Sequence, residues 1–315
     1  MDAAQHLPLR IGTRGSPLAL VQTRAVLALL RAARPDLMFA EQVIATTGDR
    51  VQDRALAELG GKGLFAKEIH EALAERRIDA AVHSLKDLET ALPPGIVLAA
   101  TLPREDARDA LILGPDCAAP DPADPLAALP RGAVVGTSSV RRQAQLLHAR
   151  PDLRVALLRG NVQTRLARLR EGVMAATLLA FAGLRRLGLA EAAGAVLAPE
   201  VMLPASCQGI IGITARADDA PLLALLGRIA DPAAAVAATA ERALLGALDG
   251  SCRTPIGAHA VVAADGALHL TGLVARPDGS FLLRRSIAGA AAAAADLGST
   301  LGAALRADSP ADVLA

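Results

Sequence analysis

The sequence predicts an α/β protein: two α/β domains with largely parallel sheets, followed by a small α+β domain. Three observations predict this. Short apolar runs alternate with amphipathic segments over residues 8–248, the rhythm of sheets whose strands are joined by helices. After Gly250-Ser251-Cys252 the rhythm changes to three strand-like runs and one closing helix. The 315 residues, at roughly 100–200 per domain, make two or three domains. A chain of this length buries about 75% of its unfolded surface and needs no disulfide or metal to hold a core.

Residues 8–13 read as a strand and 17–33 as a helix, with Ser16 as its cap and Pro17 at its first position. A strand at 41–46, a helix at 65–76, a buried strand at 79–83 (DAAVH) and a strand at 96–101 follow. Residues 114–130 are rich in Pro and Asp and read as an exposed excursion. The rhythm resumes with strands at 133–136, 153–158 and 175–180, each leading into a helix, at 139–149, 161–171 and 181–187. LPASCQG at 203–209 is a punctuated crossing into a strand at 210–215. Helical periodicity returns at 219–229 and 233–248. Strands at 256–263, 267–275 and 281–287 precede an alanine-rich helix at about 289–306, alanine being the best helix former. The domains expected are 1–103 with 210–229, then 104–209, then 230–315.

The formal net charge of +1 argues against a general nucleic-acid binder, and the absence of Trp and Tyr leaves almost no stacking surface for bases. The three cysteines, Cys117, Cys207 and Cys252, are far apart and form no CxxC pair, which excludes a zinc ribbon and fits a reducing compartment. The N-terminal MDAAQHLPLRIGTRG lacks the pattern of a secretory signal, and the apolar stretch at 172–184 is too short to span a bilayer. The expectation is a cytoplasmic monomer with no metal, nucleic-acid or membrane partner.

The arginines cluster at strand ends, where ligands of open α/β sheets bind. Arg14 follows the first strand; Arg141 and Arg142 open the helix after GTSSV; Arg159 ends a strand and Arg165 lies one turn into the next helix; Arg185 and Arg186 lie in AGLRRLG. One such arginine is ordinarily a solvated charge, but the set offers planar forks for carboxylate or phosphate. Ser16 and Thr137-Ser138-Ser139 add hydroxyls and helix N-termini suited to an anion. HSLKD at 83–87 places Lys86 and Asp87 at the same kind of edge, and a carboxylate there can exchange protons with a substrate. A surface ion pair is the plainer alternative. GGKGLFAKE lacks phosphate-loop spacing; Lys62 either closes over a ligand or is solvated. His83 has no ligand partners at metal spacing. Cys252, in a turn, is either an inert thiol or a nucleophile or anchor.

Taken in order, GTRGSPLAL, TTGDR, GGKGLFAKE, AVHSLKD, REDARDALI, VGTSSVRRQAQL, LRGNVQTRL, AGLRRLGL, LPASCQG, TAERALL and GSCRTPIG resemble the porphobilinogen deaminase family of tetrapyrrole biosynthesis, over about residues 9–263. The resemblance implies two domains like those of type II periplasmic solute-binding proteins, plus a third domain. It implies an enzyme that joins four porphobilinogen units head to tail, releases one ammonia per unit and hydrolyses off hydroxymethylbilane. It also implies a dipyrromethane primer bound by a thioether, for which Cys252 matches the attachment cysteine. Asp87 matches the acid/base residue at the pyrrole nitrogens. Arg14, Ser16, Lys86 and Ser139 match anion-binding positions, as do Arg141, Arg142, Arg159, Arg165 and Arg186. Phe65 and Gln208 match further cleft residues.

The chemistry agrees with that implication. Each porphobilinogen brings two carboxylates, so a growing chain needs arginine forks despite a neutral overall balance. Loss of ammonia leaves an electron-poor azafulvene that the preceding pyrrole attacks, and one carboxylate can stabilise the charge that develops. Leu85, Glu89, Ala175 and Cys207 depart from the family's usual residues; if the backbone at Cys207 needs positive φ, a residue other than glycine is strained there. Packing is the expected role for Cys207. Residues 47–65 are the expected lid over a chain that lengthens. Two rivals remain: a two-domain anion-binding protein without catalysis, and a nucleotide-dependent transferase using GGKG.

Overall fold

A computed structural model describes residues 7–50, 66–249 and 254–314. In chain order the elements are β1 (Leu9–Thr13), α1 (Pro17–Ala33), β2 (Phe39–Val43), α2 (Thr47–Arg50), α3 (Lys67–Ala74), β3 (Ala80–Ser84) and β4 (Ile96–Thr101). Then come β5 (Asp109–Leu113), β6 (Val134–Gly136), α4 (Val140–Ala149), β7 (Arg154–Ala156), α5 (Val162–Arg170), β8 (Ala176–Ala180), α6 (Phe181–Arg186) and β9 (Ala195–Leu197). The chain closes with β10 (Ile211–Arg216), α7 (Ala220–Gly227), α8 (Pro232–Ala247), β11 (Ile256–Val262), β12 (Ala267–Ala275), β13 (Leu282–Ala290) and α9 (Ala294–Asp308).

The chain divides into two compact units. Among the described residues, the first holds the N-terminal segment, the segment ending at Arg104, and Ile210–Ala235. The second holds Glu105–Gly209 and everything from Val236 onward.

The first unit is built on a sheet of order β2-β1-β3-β10-β4. β1 runs parallel to both β2 and β3, and β10 runs antiparallel to β3 and β4. Both faces are covered, which is why β3 opens with the apolar run Ala80-Ala81-Val82 rather than an alternation. Ala80 and Val82 join Ile11, Val26, Leu30 and Ile213 on one face; Ala81 joins Ile69, Leu73 and Ile78 on the other. Ser16 caps α1, accepting from the Ala19 N–H at 3.4 Å, and Pro17 stands in its first turn.

The second unit contains a sheet of order β7-β6-β8-β5-β9. Here β6 is parallel to β7 and β8, and β5 is antiparallel to β8 and β9. Leu111, Val135, Leu146 and Leu178 fill one side; Ile112, Leu166, Leu179 and Leu184 fill the other. The same unit carries an antiparallel sheet, β11-β12-β13, whose Ile256, Leu268 and Leu270 pack with Leu244 of α8 and Leu301 and Leu305 of α9.

The class is as predicted: two five-stranded α/β sheets and a small C-terminal three-stranded sheet with its helices. Several details differ. The sheets are mixed rather than largely parallel, because β5 and β10 each enter a sheet without a crossover helix and are free to run the other way. Neither β5 nor the three-residue β9 was anticipated. β2 lies at Phe39–Val43 rather than 41–46, in register with β1. β13 runs on to Ala290, and α9 starts only at Ala294. Pairing of β13 along all nine residues of β12 overrides the helix preference of the alanines. The 114–130 excursion is not wholly exposed: a 3₁₀ turn at Pro125–Ala128 sends Leu126, with Leu129 just beyond it, into the second unit's core.

Candidate functional site

In the first unit the predicted residues collect at one end of the sheet. Arg14 and Ser16 follow β1, and Lys86 and Asp87 follow β3, its parallel neighbour. Lys86 and Asp87 form a 3₁₀ turn with Leu85; Leu85 is buried and anchors the turn, while the other two side chains are exposed. The Leu85 N–H also donates to the Ile210 carbonyl at 3.0 Å. Just behind, His83 is buried, its Nε2 2.9 Å from Thr214 Oγ1 and its ring 5.8 Å from that of His70. Burial, aided by His70 and Arg14, pushes the His83 imidazole down to about 3, so it is neutral at pH 7. Ser84 exchanges hydrogen bonds with the buried amide of Gln22.

In the second unit the corresponding edge carries hydroxyls and arginines. Thr137, Ser138 and Ser139 follow β6, and Ser139 caps α4 through the Arg142 N–H at 3.4 Å. Arg159 lies half-buried beyond β7. Arg165, in the first turn of α5, donates to the Gly160 carbonyl at 3.0 Å and reaches Ser138 Oγ at 3.5 Å. Arg186 donates to the Gly209 carbonyl at 2.7 Å; burial lowers its guanidinium below its usual value, with Glu105 opposing. A groove of about 460 Å³ lies between the end of β7 and α5, with Arg159 on its wall.

Arg141 and Arg142 do not stand as open forks. Each is only 5% exposed, and both are tied to Asp109 at the start of β5. Arg142 donates through Nε and Nη2 to Asp109 Oδ1 at 3.2 and 2.8 Å, and through Nη1 to the Leu178 carbonyl. Arg141 pairs with Oδ2 at 2.8 Å and donates to the Leu203 carbonyl at 2.6 Å. Gln208 completes the cluster, giving its amide to Asp109 Oδ1 at 2.9 Å and to the Ala107 carbonyl at 2.7 Å. Burial alone raises a carboxyl; here the two arginines and the hydrogen bonds reverse that and hold Asp109 well below the usual carboxylate range. The cluster keeps one net positive charge beneath the N-terminus of α4.

The sequence reading missed Asp109. Its signal in the sequence is an acid opening the apolar run DALIL. It also missed Glu241, fully buried in α8, whose carboxylate accepts the Cys207 N–H and, at 2.7 Å, the Ala260 N–H. Cys207 has φ of 61°, the left-handed backbone anticipated for that position, and its side chain is buried. Cys252 and Phe65, with Lys62 and most of the 47–65 segment, lie outside the described residues. Among the described residues no group of three metal-ligating side chains occurs, and no single helix is long and apolar enough to cross a membrane.

Two family signatures cover this architecture. Residues 9–224 match the "Porphobilinogen deaminase, dipyromethane cofactor binding domain" and residues 235–307 the "Porphobilinogen deaminase, C-terminal domain". The chain belongs to the porphobilinogen deaminase family. It is 50% identical over 307 residues to the porphobilinogen deaminase of Paracoccus denitrificans, covering 97% of this chain and 96% of the relative. It is also 50% identical over 287 residues to the chloroplastic porphobilinogen deaminase of Oryza sativa, covering 89% and 78%. Among solved structures, it is similar to a probable amino-acid transporter binding protein of Bacillus subtilis at 10% identity, with a TM-score of 0.42 and coverage of 71% and 90%. An arginine-specific periplasmic binding protein of Salmonella typhimurium gives 13%, a TM-score of 0.40 and coverage of 73% and 94%. Superpositions that loose decide nothing about fold or ligand; the fold rests on strand order and register.

The family signature names a dipyromethane cofactor, and the residues at each edge, taken separately, suit an anionic group. Each edge is rich in cationic and hydroxyl donors. Acids stand among them: the exposed Asp87 with Glu89 nearby on one edge, and on the other Asp109, tied to two arginines, and Glu105, paired with Arg185.

Proposed function

We infer that the protein is a transferase that joins four porphobilinogen molecules head to tail and, with one water, releases hydroxymethylbilane and four ammonia, in tetrapyrrole biosynthesis. The observation that carries this reading is family membership along 97% of the chain. The reading extends to a cytoplasmic monomer with no nucleic-acid or membrane partner, working as domains 1–103 with 210–229, 104–209 and 230–315.

In this reading a dipyrromethane primer is attached by a thioether to Cys252. When bound, it supplies an electron-rich pyrrole carbon and a fixed starting point. The chain's own residues do the rest. Arg14, Ser16 and Lys86 on one edge, and Thr137, Ser138, Ser139, Arg159, Arg165 and Arg186 on the other, hold acetate and propionate carboxylates through charge-assisted hydrogen bonds. Arg141 and Arg142 add a buried positive charge that Gln208, itself buried, helps to hold, and Phe65 is a further substrate-binding residue by family likeness. Asp87 accepts hydrogen bonds from pyrrole N–H groups and offsets the positive charge that builds as ammonia departs. No serine or cysteine nucleophile is needed, because the pyrrole carbon is the nucleophile. Cys252 is therefore an anchor rather than a catalytic thiolate.

The test is ammonia release from porphobilinogen, measured against tetrapyrrole formed. Four ammonia per tetrapyrrole is expected. Retention of porphobilinogen without ammonia would instead support the anion-binding alternative.

A further inference from the structure

Asp109 is a carboxylate with no exposed surface, clamped by two buried arginines and one buried amide. Such clusters are expensive: charges leave water, and replacing them with apolar residues is often neutral or stabilising. The fold does not require an acid at this place. Ile211 opens β10 in the first unit as Asp109 opens β5 in the second. Ile211 pairs with Ser84, the last residue of β3, and Asp109 with Ala180, the last of β8. The residue before each accepts a bond from the residue that follows the neighbouring strand: Leu85 N–H to Ile210 and Phe181 N–H to Arg108, both at 3.0 Å. The first unit thus fills the position with an apolar side chain, and its helix α1 opens with Pro17-Leu18-Ala19 where α4 opens with Val140-Arg141-Arg142. Of the two sheets, the one with the acid has the arginines and the other has neither.

We propose that Asp109 is a positioning residue for substrate carboxylates: it fixes Arg141, Arg142 and Gln208 in one constellation beneath the N-terminus of α4. Asp109 itself touches no ligand. Its two oxygens divide the arginines between them, one taking Arg142 and Gln208 and the other Arg141. Bonds to the Leu178 and Leu203 carbonyls stop each guanidinium from turning about that contact. This rests on the reading that these arginines attract carboxylates.

Asp109→Glu keeps the charge and moves it by one methylene. The folded variant is expected to melt within a few degrees of the parent and to raise KM for porphobilinogen roughly 10- to 100-fold, with kcat little changed. A folded Asp109→Glu with parental KM would overturn the proposal. A triple variant, Asp109→Leu with Arg141→Met and Arg142→Met, keeps the volume and removes the charges. It is expected to fold and to bind porphobilinogen more weakly still. If it folded and kept parental KM, the arginines would have no part in binding, a failure of the functional reading rather than of Asp109 alone. If neither Asp109→Glu nor Asp109→Asn folded while the triple variant did, Asp109 would be a counter-ion only, and the proposal would fail. The unaltered protein gives an independent check by nitrogen-15 spectroscopy of arginine side chains. The Arg142 Nε–H is expected to resist exchange both with and without porphobilinogen, and rapid exchange would count against a fixed guanidinium.

Discussion

β1 leaves the first sheet through Gly12-Thr13, and β6 leaves the second through Gly136-Thr137. Both glycines are buried, and a methyl group would run into the side chain of Ile78, just before β3, or of Met174, just before β8. Each strand leads to a serine-capped helix, and each sheet takes an antiparallel strand at the same place in its order. The edges differ only in what is mounted on them. After β3 stand the exposed Lys86 and Asp87; at the same offset after β8 stand the buried Ala182 and Gly183. Under α4 sits the Asp109 cluster; the corresponding residue of the first sheet is Ile211 in an apolar core. One scaffold is therefore used twice, once to present an exposed carboxylate, for which we propose proton transfer, and once to present buried positive charge. Function lies in the substitutions, not in the sheets.

The largest expected effect comes from removing what only the first edge has. Asp87→Asn should lower kcat by about 10²- to 10⁴-fold, the usual contribution of general acid–base catalysis, with the melting temperature unchanged because the side chain is exposed. Parental turnover would show that the two edges do not divide the work this way. Next, Ile211→Asp places the second sheet's acid in the first without its arginines. An uncompensated buried charge should cost about 3–5 kcal/mol in denaturant unfolding. A neutral outcome would mean that the position is not as apolar as its core suggests.

His83 has no counterpart in the second sheet, where Leu179 stands at that offset. Its native value, about 3, lies below the ordinary 6.5, so below pH 6.5 the unfolded chain takes up a proton that the native state refuses. Stability from this group is complete above pH 6.5. It falls by up to about 1.4 kcal/mol per pH unit on acidification and levels off below about pH 3. His83→Gln should flatten that slope between pH 6.5 and 4; an unchanged slope would place the acid sensitivity elsewhere.

Smaller effects follow. A left-handed residue other than glycine costs roughly 1–2 kcal/mol, and glycine gives back about 0.4–1 kcal/mol through unfolded-state entropy. Cys207→Gly should therefore stabilise the protein by about 0.5–1 kcal/mol, read as a raised unfolding midpoint; destabilisation would mean that thiol packing outweighs the backbone. Ser16→Ala and Ser139→Ala should each cost about 1 kcal/mol, since the two caps have the same geometry. Clearly unequal losses would break the equivalence of the sheets.

Much of this was legible in the sequence. Ser16-Pro17 announced a helix start, and apolar runs such as AAVH announced strands covered on both faces. Arg14, Arg159 and HSLKD lie at or just beyond strand ends, as expected, because periodicity fixes where strands stop; Arg185 and Arg186 lie instead in the last turn of α6. The antiparallel direction of β5 and β10 was not legible, since direction depends on where the chain arrives and not on its own pattern. Nor was the burial of Arg141 and Arg142, which depends on Asp109, some thirty residues earlier and brought near only by strand pairing. The extension of β13 into an alanine run was hidden by a local preference that a nine-residue ladder outweighs.

The most direct test of the functional reading is the intact mass of the purified protein, followed by peptide mapping. With no Trp or Tyr in the chain, near-ultraviolet absorbance would itself come mainly from pyrroles. An increment equal to two porphobilinogen units less two ammonia, located on Cys252, is the predicted result. A protein that stayed unmodified after incubation with porphobilinogen and released no ammonia would contradict it.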